Sequence, residues 1–326
     1  MLFRSVVRAL DMLYQQLESK KAKKCIGDVY ESVQGGRSLS EAFKEQKGVI
    51  PNIMISMIAA GEESGRLDEV MERLAEHFQK AAKLKNKISS AMVYPKILAG
   101  LTAAVSIGLL TFLVPKIGDT IKSLGGELPA LTKALLAISK SLTTWWYIYI
   151  AVVALIVYGF KLWKSSDKGA EQWSYLMLKM PIVGKATTMN AAARFTRTVS
   201  TLLKSGISVL QSVEITEKSL DNVILEKKLA DARTEIRKGA SLSKSIRGIT
   251  EFPPMIYAMV SIGEESGTLD AILDKAADYF EDEADAATAK MTAALEPVMI
   301  IILAIIVGTV VGGIAMSIFT MAKWIM

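Results

Sequence analysis

The chain has 326 residues, 51% apolar and 22% charged. That mixture is too apolar for an ordinary soluble domain and too charged to lie wholly in lipid, which leaves membrane spans joined to soluble domains. The formal charge of +6 and pI near 9.1 come from basic residues beside apolar runs rather than from an aromatic-studded patch, so they point to membrane placement and to no nucleic-acid partner.

One cysteine, Cys25, and one histidine, His77, rule out a disulfide framework, a zinc site or a Cys/His nucleophile built by this chain alone, and read as structural or surface residues. Abundant Ala, Leu, Lys, Glu and Met with no long alternating run predict an all-α protein.

Met1 leads straight into an amphipathic stretch with Arg4, Arg8 and Asp11 rather than a cleaved leader, so residues 1–96 are expected to form a cytoplasmic helical bundle. Ile97 to Val114 is uncharged and apolar and predicts a first transmembrane helix over 97–114 that ends at Pro115. An extracytoplasmic loop follows over 115–144, then a second span over 145–163, from Trp145 through Phe160 to Trp163. A second cytoplasmic bundle is expected over 164–296, a third span over 297–320 containing Val298 to Phe319, and an extracytoplasmic tail over 321–326. At 1.5 Å per residue, about 18 to 22 residues cross a hydrocarbon core of roughly 30 Å.

Lys80, Lys83, Lys85, Lys87 and Lys96 precede the first span, and Lys161, Lys164 and Lys168 follow the second, whereas only Lys323 follows the third. That bias places the N-terminus and both bundles inside a cytoplasmic (inner) membrane. The loop carries four lysines of its own, so the bias is weak for the first span taken alone. Within the spans, Gly100-x3-Ala104-x3-Gly108 and Gly308-x3-Gly312 offer small faces for close helix packing. Met299, Met316 and Met321 read as lipid- or core-facing filler.

Residues 56–78 read SMIAAGEESGRLDEVMERLAEHF and residues 258–280 read AMVSIGEESGTLDAILDKAADYF, with ten identities in 23 positions at an offset of 202. Pro51 matches Pro253, and Tyr94-Pro95 matches Glu296-Pro297; Gly36-x-Ser38-Leu39-Ser40 matches Gly239-x-Ser241-Leu242-Ser243 after a one-residue slip. The chain is therefore two copies of one domain, each ending in a span, and two spans between like domains return both to one side of the membrane.

After each GEESG turn, Leu67, Val70, Met71, Leu74, Ala75 and Phe78, and likewise Leu269, Ile272, Leu273, Ala276, Ala277 and Phe280, recur at helical spacing and predict one buried face. Gly61, Ser64 and Gly65, with Gly263, Ser266 and Gly267, read as the structural turn: the last glycine of each opens backbone angles closed to other residues, and the serine can cap the following helix. The paired carboxylates Glu62, Glu63, Glu264 and Glu265 could serve acid/base chemistry, bind a cation, dock a basic partner or answer a helix dipole. Neither copy supplies a neighbouring histidine, aspartate triad or metal quartet, so chemistry ranks lowest and they stand as candidate partner contacts.

GEESG-x-L in both copies, RFTRTVSTLLKSGISVL at 194–210, LKMPIVG at 178–184, LPALT at 128–132 and the Tyr94-Pro95 and Glu296-Pro297 entrances together resemble the inner-membrane platform family of type IV pilus and type II secretion machines, the GspF/PilC type. The resemblance implies two cytoplasmic bundles of about six helices each and three transmembrane helices. It also implies a non-enzymatic platform without cofactors, working with a hexameric assembly ATPase, pilin or pseudopilin subunits and other inner-membrane assembly proteins. The counterpart of Ala193 to Gly206 falls before Met1, so the first bundle reads as shortened.

Asp270, Asp274, Asp278 and Asp282 stand four apart on one helix face, and Asp68, Glu72 and Glu76 repeat the pattern. Like charges so spaced weaken a helix slightly. The stripe reads either as a solvated face or as a docking ridge for a basic ATPase surface or a divalent cation. Beyond it, Lys80, Lys83, Lys85 and Lys87 in the first copy oppose Asp282, Glu283 and Asp285 in the second, which predicts paired stalks within a chain or between subunits of a homo-oligomer. Contact of the lysines with membrane lipids is the alternative.

A transporter or channel is the rival function, but no ionisable residue sits deep in a span, and GxxxxGK[ST], GxSxG and a metal-spaced histidine pair are all missing from the sequence.

Overall fold

A computed structural model describes residues 2–46, 48–123 and 129–325, and among these every regular element is helical. The first repeat comprises α1 (Leu2–Gln16), α2 (Lys20–Gln34), α3 (Leu39–Glu45), α4 (Asn52–Ser64) and α5 (Leu67–Ala91). Then come α6 (Val93–Gly108), a π-helical turn (Leu109–Leu113), α7 (Val114–Ser123), α8 (Ala130–Thr144), α9 (Trp146–Ser165) and α10 (Asp167–Lys179). The second repeat comprises α11 (Val183–Lys204), α12 (Val209–Glu217), α13 (Val223–Arg237), α14 (Leu242–Ile246), α15 (Pro254–Ser266) and the start of the 57-residue α16 (Leu269–Ile325).

The chain divides into two compact units. Unit one holds residues 1–85 and 177–285, the two repeats. In the second repeat, Phe195 and Val199 of α11 share a core with Leu225, Leu229, Val260, Leu273 and Phe280. Phe195 and Phe252 stack obliquely there, with ring centroids 5.2 Å apart. The first repeat has its own core around Val29, Val33, Phe43, Met57, Ile58 and Leu74, and Leu202, Ile207 and Ile215 of the second repeat complete it.

Helices α1 to α5 match α12 to α16 in order, and among the described residues α11 has no counterpart in the first repeat. This explains where the predicted apolar faces part company. Leu273 and Ala277 are fully buried, whereas Met71 and Ala75 at the same repeat positions are exposed, because no equivalent of α11 lies over them.

Unit two holds residues 86–176 and 286–326. Among the described residues, three stretches are long and apolar enough to cross a membrane, lying within Leu67–Ile121, Trp146–Ser165 and Leu269–Gly313. Two expectations change here. Pro115 does not end the helix, which resumes through α7; proline lacks an N–H and crowds the carbonyl four residues back, and the π-turn at Leu109–Leu113 widens the backbone just ahead of it.

The segment 115–144 is not irregular either, since its described residues form most of α7 and all of α8. Leu135 of α8 packs with Val114 and Val310, and Thr132 Oγ1 donates to the Gly313 carbonyl at 2.9 Å. The close approach therefore uses Gly313, where a Cβ would meet Leu135 at 3.0 Å, while Gly100, Gly108, Gly308 and Gly312 face open space. Tyr94 donates its hydroxyl to Glu296 at 3.3 Å, joining the two repeat-equivalent entrances. Residues 124–128, which include Leu128 of LPALT, and Met326 of the expected tail lie outside the described residues.

Candidate functional site

Each GEESG motif forms the last turn of its helix. Gly65 and Gly267 close α4 and α15 in the left-handed region at φ 69°, which glycine enters without a Cβ clash. Gly61 and Gly263 do different work. A Cβ on Gly263 would come within 2.9 Å of Leu269 Cα and one on Gly61 within 3.2 Å of Leu67 Cα, so these glycines let the following helix fold back tightly.

The serines do not cap the next helix as predicted. Because they still lie inside the helix, Ser64 and Ser266 donate back to the carbonyls of Ala60 and Ile262, both at 2.7 Å.

The two glutamates of each motif have separate environments. Glu62 is half-buried and accepts from Leu39 N at 2.6 Å, Ser40 N at 3.1 Å and Ser40 Oγ at 2.6 Å. Glu264 repeats this with Leu242 N at 2.6 Å and Ser243 N at 2.9 Å. Each carboxylate thus caps the N-terminus of the short helix α3 or α14 from a distance in sequence, where unpaired N–H groups and the helix dipole favour negative charge.

Glu63 and Glu265 remain exposed. Glu265 accepts from Ser261 Oγ at 3.0 Å, and Glu63 lines a cleft of about 840 Å³ between the repeats, together with Lys44, Gln211, Glu214 and Lys218.

The acidic stripe is also divided. Arg197 of α11, buried at 7% exposure, reaches Asp274 at 2.7 Å and Glu281 at 2.7 and 3.0 Å, and pairs with Asp278. Lys204 meets Asp274 at 2.5 Å, and Lys80 of the first repeat meets Asp278 at 3.5 Å. Burial raises the cost of charge on Asp278, yet Arg197 and Lys80 outweigh it and hold the carboxyl below the usual carboxylate range.

Half-buried Asp270 accepts from Ser200 Oγ at its carbonyl, at 3.0 Å. Asp68, Glu72, Glu76 and Asp282 are exposed, and Glu76 pairs with Lys80 at 3.3 Å. Lys83 and Lys85 are exposed, while Glu283 and Asp285 are half-buried; Lys87 belongs to the other unit.

His77 lies beside this cluster. It lines a cleft of about 60 Å³ with Arg73, Glu76, Lys80, Arg197, Thr201, Lys204 and Asp274. Its Nδ1 is buried without a hydrogen-bond partner. Burial first, then the charges of Arg197 and Arg194, push its pKa down to about 4. Arg73 also donates to the carbonyl of Lys204, which ties α5 to the end of α11.

Arg197 and Lys204 were not singled out in the sequence, and His77 was read there only as a structural or surface residue. Arg197, Thr201 and Lys204 stand at i, i+4 and i+7, matching Asp274, Asp278 and Glu281, and that double register is the signal that could have found them. Its first-repeat equivalent falls before Met1, so the repeat alone gave no second instance.

Repeated helical bundles attached to three apolar helices, with charged side chains that tie helix to helix, define an internally duplicated multi-pass membrane protein. The family model described as "Type II secretion system (T2SS), protein F" matches residues 4–115 and again 195–317. The chain belongs to that family. It is 35% identical to the type IV pilus assembly protein PilC of Thermus thermophilus over 97% of this chain and 78% of that protein. It is 31% identical to PilC of Myxococcus xanthus, over 97% and 76% of the two chains, and 31% identical to type II secretion system protein F of Xanthomonas campestris pv. campestris, over 90% and 73%.

Proposed function

We propose that this chain is a non-enzymatic inner-membrane platform that couples a cytoplasmic assembly ATPase to insertion of pilin or pseudopilin subunits into a growing fibre. The observation that carries the reading is family membership over both repeats, with relatives named for type IV pilus assembly and type II secretion.

One feature of the chain supports it: α16 runs over Leu269–Ile325 with Pro297 inside it, so the acidic stripe and the third apolar segment belong to the same helix. Leu202, Ile207 and Ile215 of the second repeat lie in the core of the first, so the two repeats would shift as one body rather than slide, with the Lys80–Asp278 pair a minor addition. In this reading both bundles face the cytoplasm, and the exposed acids Glu63, Glu265, Asp68, Glu72, Glu76 and Asp282 are the ones available to a basic partner.

A pull-down of the detergent-solubilised chain against the assembly ATPase and major pilin of the same genome tests this. Retention of both supports the platform reading, and Glu63→Ala with Glu265→Ala should weaken ATPase retention without unfolding the protein. Capture of neither partner, or nucleotide hydrolysis by the purified chain alone, would overturn it.

A further inference from the structure

The two repeats meet head to tail, and the contact leaves one unfilled half at each end of the pair. Within the chain, α12 of the second repeat rests on α4 of the first. Ile215, 8% exposed, joins the core of Met57 and Ile58, and the stripe Ile53, Ser56, Met57 and Ala60 of α4 is buried or half-buried.

The repeat-equivalent surfaces keep exposed apolar side chains. On α1, Met12 stands where α12 has Ile215 and is 55% exposed. On α15, the positions matching the covered stripe of α4 are Met255, Ala258, Met259 and Ile262, at i, i+3, i+4 and i+7; Met259 packs against its own repeat's core, whereas Met255, Ala258 and Ile262 are exposed, Ile262 at 56%. Such an apolar stripe on an otherwise polar bundle marks an interaction surface.

We propose that this face of α15 receives α1 of a second copy of the same chain, repeating between molecules the contact that α12 makes with α4 inside one. Charge supports that occupant. Gln211 of α12 and Glu63 of α4 line the same cleft, and their repeat equivalents are Arg8 and Glu265, both exposed. The contact between molecules would thus set Arg8 opposite Glu265, a charge pair where the internal contact has Gln211 and Glu63. A contact of this kind joins unlike surfaces, so it propagates from molecule to molecule and either closes into a ring or continues as an array.

The test uses the full chain in detergent or nanodiscs with Cys25→Ala as background. Met12→Cys and Ile262→Cys are placed on differently tagged chains and co-expressed, then treated with a short bis-maleimide. A covalent product joining the two tags, with little product from either variant alone, is the expected result. Products of equal yield from each variant alone would mean a two-fold contact and overturn the proposal. No product from the mixture, with both thiols reactive toward a small maleimide, would overturn it as well and leave the stripe to a different protein. In the paired-cysteine background, Arg8→Glu or Glu265→Arg alone should lose the cross-link, and the two together should restore it; failure of that rescue would overturn the register.

Discussion

Glu62 accepts three hydrogen bonds from the first turn of α3, while adjacent Glu63 faces an open cleft, and the same split recurs at Glu264 and Glu265. Removing a charged acceptor from buried N–H groups costs roughly 1–3 kcal/mol, and losing a helix cap about 1 kcal/mol. Glu62→Ala and Glu264→Ala should therefore each destabilise the protein by about 1–2 kcal/mol, whereas Glu63→Ala and Glu265→Ala should stay within about 0.5 kcal/mol. Denaturant unfolding of the four variants in detergent measures this. Equal losses at all four positions would contradict the assigned roles.

Among elements, the decisive contact is between α11 and α16. Arg197 is buried against three carboxylates, and removing one member of such a cluster leaves the others uncompensated, typically at 3–5 kcal/mol for a fully buried pair. Asp278 is well exposed, which discounts the figure, so Arg197→Met should cost about 3 kcal/mol in the same unfolding measurement. A change under about 0.5 kcal/mol would show the cluster to be incidental.

His77 adds a pH dependence. Its folded pKa, about 4, lies below the ordinary 6.5, so the folded state disfavours the charged imidazole. The stability contributed by neutral His77 is present above pH 6.5 and is lost as pH falls toward 4. Asp278, held below the carboxylate range by Arg197 and Lys80, loses its contribution only at lower pH still. Glu217, whose carboxyl is raised by burial, acts in the opposite direction, but equally in parent and variant. The midpoint of thermal unfolding should decline across that window in the parent and decline less in His77→Gln; parallel curves would remove His77 as the cause.

For the whole molecule, the distribution of lysines predicts both bundles on the cytoplasmic side and residues 115–144 outside. Periplasm-dependent reporter fusions should be active when joined after Thr144 and inactive when joined after Lys96 or Lys238. The reverse pattern would invert the topology and remove the cytoplasmic ATPase from reach of the bundles.

The sequence by itself determined the helical class, the duplication and the apolar spans. Each of these is written in local period or in an offset of 202 residues, and both survive without knowing any distant contact. Tertiary structure decided which carboxylate of each pair caps a helix, that Arg197 neutralises part of the acidic stripe, and that Leu202, Ile207 and Ile215 complete the first repeat's core. Those contacts join residues far apart in the chain, with partners set by how helices pack rather than by spacing along one of them. The turn at Pro115 belongs with them, since a proline in an apolar helix can end it or be absorbed, and the packing of Leu110 and Val114 against α8 accompanies the second outcome here.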